Sequence, residues 1–203
     1  MTATSHKLTL DDIADLRAYE RERDEFRRHV IDLKKRRRVP VGPFVTLLFE
    51  NRDTIRFQIQ EMARAEKIAT DEGIQTELDV YNPLIPEPGS LSATLFIELT
   101  SKAELEEWLP KLVGIERAVE LRLGEPGDGV ETVGAVLDPE HERQLTRETV
   151  TASVHYVHFD LTPEQVERFA AEPVTVAITH PEYRHETELS DPTRAELLDD
   201  LRG

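Results

Sequence analysis

Apolar residues recur at three- and four-residue steps near the start of the chain. Leu10, Ile13, Leu16, Tyr19, Phe26, Val30 and Leu33 form one stripe and predict a long helix over residues 10–36. Thr9 stands at its cap, Asp11 and Asp12 in its positive first turn, and Pro40 stops it. The period then drops to two. Val45, Leu47 and Phe49 share one face of a strand over residues 41–49, with Phe44, Thr46 and Leu48 on the other. Residues 54–60 admit two readings. Ile55, Phe57 and Ile59 alternate as in a hairpin strand, yet Ile55, Ile59, Met62 and Ala69 also fit a helix. The lack of Gly and Pro from 54 to 69 favours the helix, with Asp53 as its N-cap. A short helix with Ile74 and Leu78 follows Thr70.

A proline-rich loop at residues 81–89 leads into a clear alternation. Leu91, Ala93, Leu95, Ile97 and Leu99 interleave with Ser92, Thr94, Phe96 and Glu98. Ser101 and Glu104 form a capping box for a helix to about residue 112. Val119, Leu121 and Leu123 mark a strand, EPGDG at 125–129 a turn, and residues 130–137 a partner strand. Another strand covers 150–159. Thr162-Pro163-Glu164-Gln165 starts a helix, with Thr as cap, Pro in the first turn and Gln three residues on. Strands at 173–180 and 183–189 meet at Pro181-Glu182, and Ser190-Asp191-Pro192 opens a final helix bearing Leu197, Leu198 and Leu201. The irregular order predicts an α+β fold: a mixed, mainly antiparallel sheet with flanking helices and a long N-terminal helix. Leu95, Ile97, Val154 and Val176 are its expected core. Residues 1–203 read as a single domain, with 1–8 as a flexible tail.

Composition narrows the chemistry. With no cysteine among 203 residues, disulfides, thiolate zinc sites, Cys-ligated iron–sulfur clusters and Cys nucleophiles are excluded. The opening residues lack a secretory apolar region, and no window approaches a membrane span, so the cytoplasm is the expected location. Net charge is −16, unevenly placed: residues 1–60 carry 13 Lys and Arg against 10 Asp and Glu, the remainder 12 against 31. Lys34, Lys35, Arg36, Arg37 and Arg38 run together. They can stabilise the negative end of the first helix, contact an acidic partner or grip phosphates. The acidic background and the scarcity of exposed aromatics for stacking disfavour nucleic acid.

Nucleotide-loop, α/β-hydrolase and zincin motifs are missing. The densest polar group is Glu50, Asn51, Arg52 and Asp53 at the end of an apolar strand. On the helix that follows, Gln58, Glu61 and Arg64 lie at three-residue steps and share one side. Such a set can bind a divalent metal or an anion, act in acid–base chemistry, or simply tie helix to sheet. His180 and Tyr183 can form an acid–base pair or hydrogen-bond in a corner. Glu50, Glu61, Glu98 and His180 are the metal-ligand candidates. His155 and His158 point to opposite faces of a strand and cannot easily share a metal. His141, between Glu140 and Glu142, reads as a solvated turn residue.

Four long strings carry a resemblance: LKKRRRVPVGPFVTLLFENRDTIRFQIQEMARAEKI, ELDVYNPLIPEPGSLSATLFIEL, LPKLVGIERAVELRLGE and THPEYRHETEL. Together they resemble an uncharacterised bacterial family, domain of unknown function 3501, over nearly the whole chain. The resemblance implies a bacterial protein in a redox or oxidative-stress setting, with redox proteins as partners, and it implies no particular reaction. Three functions stay open. One is an accessory protein that binds a ligand or partner without catalysis. Another is an enzyme using Glu50, Arg52, Glu61 and His180, with or without a divalent metal. The third is a nucleic-acid-binding regulator using residues 34–38. Metal analysis separates the first two, and salt-sensitive oligonucleotide binding isolates the third.

Overall fold

The computed structural model describes residues 6–127, 129–137 and 149–203. The apolar stripe at the start of the chain is divided. A single tight turn at Leu10–Asp12 is closed by Thr9, whose backbone N–H and hydroxyl both donate to Asp12. The helix proper, α1, runs Leu16–Arg37 and is capped by Asp15, not Thr9; its carboxylate accepts from the N–H groups of Arg17 and Ala18. Local side-chain bonds of this kind compete with the helix ladder. The break is sealed by Gln60, fully buried, whose amide bonds both backbone groups of Ala14 at 2.8 and 3.1 Å. The segment before it is docked as well. Leu8, expected in a flexible tail, is buried and exchanges two hydrogen bonds with the Asn82 side chain.

Strands β1 (Arg38–Pro40) and β2 (Val45–Phe49) form a hairpin. Helix α2 (Arg52–Glu66) settles the ambiguity at 54–60. Its cap is Asn51, two residues before the expected Asp53: the Asn51 carboxamide accepts from Thr54 N–H, and Thr54 Oγ1 accepts from Asn51 N–H. Then come α3 (Asp71–Tyr81), β3 (Ser90–Ile97), α4 (Lys102–Lys111), β4 (Val119–Leu123), β5 (Glu131–Gly134) and β6 (Val154–Asp160). Helix α5 (Pro163–Ala171), β7 (Val174–His180), β8 (Tyr183–Glu188) and α6 (Asp191–Arg202) complete the chain. The caps at Thr70, Ser101, Thr162 and Ser190 all accept the hydrogen bonds their positions promise.

The fold is α+β, with two sheets where one was expected. Their orders are β1-β2-β3-β6 and β5-β4-β7-β8, and every described pairing is antiparallel. The main core lies between them: Leu47, Phe49, Leu95 and Phe159 from the first meet Leu121, Val176 and Ile178 from the second. Phe169 of α5 and Leu197 and Leu201 of α6 join this core, as do Leu112 and Ile115 near α4. The opposite face of the first sheet is covered too. Ile55 and Ile59 of α2 pack with Leu8, Leu78, Leu84 and Ile85 in a second cluster. Hence β2 is buried at all five positions. Val154 is a correction to the expected core. The inward residues of β6 are His155, Val157 and Phe159, so Val154 faces outward and is half-buried. No helix among the described residues is long and apolar enough to cross a membrane.

Candidate functional site

Between the outer face of the first sheet and the α2–α3 pair lies a cavity of about 250 Å³. Glu50, Gln58, Thr94, Tyr81 and Tyr156 reach it, with Ile55, Leu84, Phe96 and Val154 as apolar wall. Strand pairing builds this floor: Leu48 lies opposite Thr94, and Thr94 opposite Tyr156. Glu50 follows directly after β2, its N–H bonded to Ser92 C=O, so its side chain continues the face of Thr46 and Leu48.

Glu50 is only 7% exposed. Thr94 Oγ1 donates to one carboxylate oxygen at 2.6 Å and Thr54 Oγ1 to the other at 2.5 Å. Among the described residues no Lys, Arg or His pairs with it. A carboxylate offers about four acceptor positions, so roughly half remain for something else. Burial, then Tyr81, then Glu50 push the Tyr156 phenol above its ordinary range. The neutral phenol is thus the species that faces the carboxylate. A larger hollow of about 330 Å³ lies between residues 10–17 and the α2–α3 junction. Its charged members Asp15, Arg17 and Asp71 are all exposed, so it lacks the buried polar anchor that distinguishes the Glu50 cavity.

The structure brings Glu50 and Gln58 together at the cavity and disperses the other candidates: Asn51 caps α2 and lines a separate hollow with Arg52 and Asp53. Arg52 bonds Asp12, and Arg64 bonds Glu20. Glu61 turns toward α1, accepting from Tyr19 Oη at 2.8 Å and from Arg23 through both oxygens at 2.8 and 2.9 Å. The Arg23 fork, working against partial burial, holds Glu61 below the usual glutamate range. Three-residue steps drift around a helix, and over one turn that drift carries Glu61 from the sheet side to the α1 side. His180 and Tyr183 are paired across the β7–β8 hairpin without bonding each other. His180 Nε2 donates to Val113 C=O, and Nδ1 accepts from Glu182 N–H. Tyr183 Oη donates to Val41 C=O at 2.7 Å and accepts from the N–H groups of Phe44 and Val45. Glu98 is held by Arg38 and Thr46. Among the described residues, no three His, Cys, Asp or Glu side chains group to hold a metal. His141 and part of the 125–129 turn lie outside the described residues.

Residues 7–201 match the family described as Protein of unknown function (DUF3501). The chain belongs to this family. A crystal structure of a "novel protein of unknown function" from Burkholderia pseudomallei K96243 is similar to the DUF3501 chain at a TM-score of 0.86 and 37% identity. The likeness covers 96% of this chain and 99% of that one. No curated protein matches.

In the DUF3501 chain the basic run is consumed internally. Arg37, 1% exposed, reaches Asp200 at 2.7 and 2.9 Å and Glu196 at 3.3 Å, Arg36 bonds Glu196, and Lys35 bonds Asp32. Lys34 lies over the Phe57 ring. Sequence reasoning missed Thr54, Thr94, Tyr81 and Tyr156. Period-two alternation puts Thr94 and Phe96 on one face, but only the pairing of β3 with β6 sets Tyr156 beside them. It also missed a buried polar knot on the opposite face of the same end of β6. There His155 bonds Thr151 Oγ1 and Ala152 C=O through Nε2, with Glu116 Oε2 4.0 Å from Nδ1. Burial lowers His155 against the pull of Glu116, favouring the neutral ring.

Proposed function

We propose that this DUF3501 protein is a non-catalytic, ligand-binding accessory protein of the bacterial cytoplasm, and that its ligand occupies the Glu50 cavity. One observation carries the reading: a buried carboxylate, oriented by two hydroxyls and free of any cationic partner among the described residues, opens on a cavity. A buried carboxylate without a cationic partner is costly to keep charged, and a cationic ligand would compensate it. Tyr81, Tyr156 and the apolar wall supply the contact area that one carboxylate lacks. The redox setting implied by the family resemblance would then concern what the ligand does for a partner, not chemistry performed on this chain.

A small-molecule fragment library read by thermal shift tests this, using wild type and Val154→Trp. The larger side chain should fill the cavity from its half-buried wall position. Molecules that bind the folded state raise its midpoint. Some fragments should stabilise wild type and lose that effect in the variant. If every stabilising fragment acts equally on both proteins, ligands bind elsewhere and the proposal fails.

A further inference from the structure

Resting on the ligand-binding reading of the Glu50 cavity, we infer that the molecule it takes is a compact organic ammonium ion. The ammonium would lie against Glu50, and its alkyl portion against Ile55, Leu84 and Val154.

Charge decides first. An anion entering the cavity meets a 93% buried carboxylate, since only 7% of Glu50 is exposed, and no described cation pairs with that group. The Arg38 and Arg56 guanidiniums are engaged elsewhere: Arg38 is bound to Glu98, and Arg56 to Glu22 and the Asp12 carbonyl. A neutral molecule can donate a hydrogen bond but leaves the buried charge uncompensated. A cation does both.

The kind of cation follows from the donor set. Mg²⁺ and Ca²⁺ need about six or more oxygen ligands, and Zn²⁺ about four ligands. Among the described residues Glu50 is the one carboxylate in the cavity wall, and no three His, Cys, Asp or Glu side chains group to hold a metal. An ammonium asks for less. Its N–H groups match the acceptor positions that Thr54 and Thr94 leave open on Glu50. Tyr81 and Tyr156 line the cavity, and aromatic rings attract cations. Phe96 contributes less, because the Arg38 guanidinium already lies 5.5 Å from its ring centroid. Size completes the description. At about 250 Å³ the cavity falls just below the usual range for drug-sized ligands, which suits a primary amine with a short alkyl body.

The experiment is an NMR titration of the full chain with n-butylammonium, n-butanol and butyrate. It follows the Gln58 side-chain amide and the Thr94 backbone amide in wild type, Glu50→Gln and Tyr156→Leu. In wild type, n-butylammonium should shift both resonances saturably and bind roughly ten- to a hundredfold more tightly than n-butanol, the worth of a hydrogen bond to a charged group. Butyrate should be the weakest. Glu50→Gln should erase the preference for the amine. Tyr156→Leu, which leaves Glu50 in place, should weaken n-butylammonium several-fold more than n-butanol. If n-butanol or butyrate shifts the cavity resonances as effectively as n-butylammonium, or the preference survives in Glu50→Gln, the ammonium assignment is wrong while the cavity remains a binding site. If none of the three probes moves the cavity resonances, both the assignment and the binding site fall.

Discussion

Leu95 has no exposed surface and sits in the middle of β3, between β2 and β6. Leu95→Ala should cost about 2–5 kcal/mol in urea unfolding, the range for a buried leucine that leaves a cavity. A cost below about 1 kcal/mol would place Leu95 outside the core, in the range of ordinary surface changes. Glu61 makes a different kind of contribution. Its folded pKa is lowered, chiefly by the Arg23 hydrogen bonds. The stability it adds is therefore present above the unfolded-state pKa and is lost as pH falls through the lower folded value. Glu61→Gln should cost about 1–2 kcal/mol at neutral pH, toward the low end for a charged hydrogen bond because the pair is partly solvated. The gap from wild type should close as pH drops below the ordinary glutamate range. A gap that stays constant across that range would mean the ion pair adds nothing.

At the scale of elements, the decisive joint is where α1 meets α6. Burial pushes the Asp200 carboxyl up against the opposing pull of Arg37, so its charge depends on that partner. Arg37→Met should destabilise by about 3–5 kcal/mol by stranding acidic groups in a buried site. Arg37→Met with Asp200→Leu should recover much of the loss, because an apolar pair can replace a buried ion pair. Equal losses in the single and double variants would contradict this view of the joint. Arg37 also shows what local sequence conceals. A run of five cations looks uniform, yet one member is buried because α6, more than 150 residues later, returns to meet it. Caps were legible because Thr70, Ser101, Thr162 and Ser190 act within three residues of themselves. The faces of β6 were not, since alternation alone cannot say whether Val154 or His155 turns inward; pairing with β3 decides that. For the same reason Glu50 and Gln58 were recognisable as neighbours across one strand–helix junction, while Thr94 and Tyr156, contributed by two other strands, were hidden.

Across the whole molecule, Tyr183 joins the second sheet to the hairpin of the first through three backbone groups. The hairpin leaves little room there: a Cβ on Gly42, whose φ is +79°, would lie 2.5 Å from both the Tyr183 hydroxyl and the His185 ring. Tyr183→Phe should cost about 1–3 kcal/mol by leaving buried backbone groups unpaired, with no change in ligand binding at the remote Glu50 cavity.

Glu50 is the opposite case, a buried carboxylate held by two hydroxyls and answered by no Lys, Arg or His among the described residues. Denaturant unfolding of the ligand-free wild type and Glu50→Gln measures that directly. Glutamine keeps the shape, can still exchange hydrogen bonds with Thr54 and Thr94, and removes the charge. If the carboxylate is held for a ligand, the variant will be at least as stable as wild type, by the usual trade between stability and function at a site. A variant less stable by about 3 kcal/mol or more, the loss typical of breaking a compensated buried charge, would show that Glu50 serves the fold and would contradict its assignment as the anchor of a binding site.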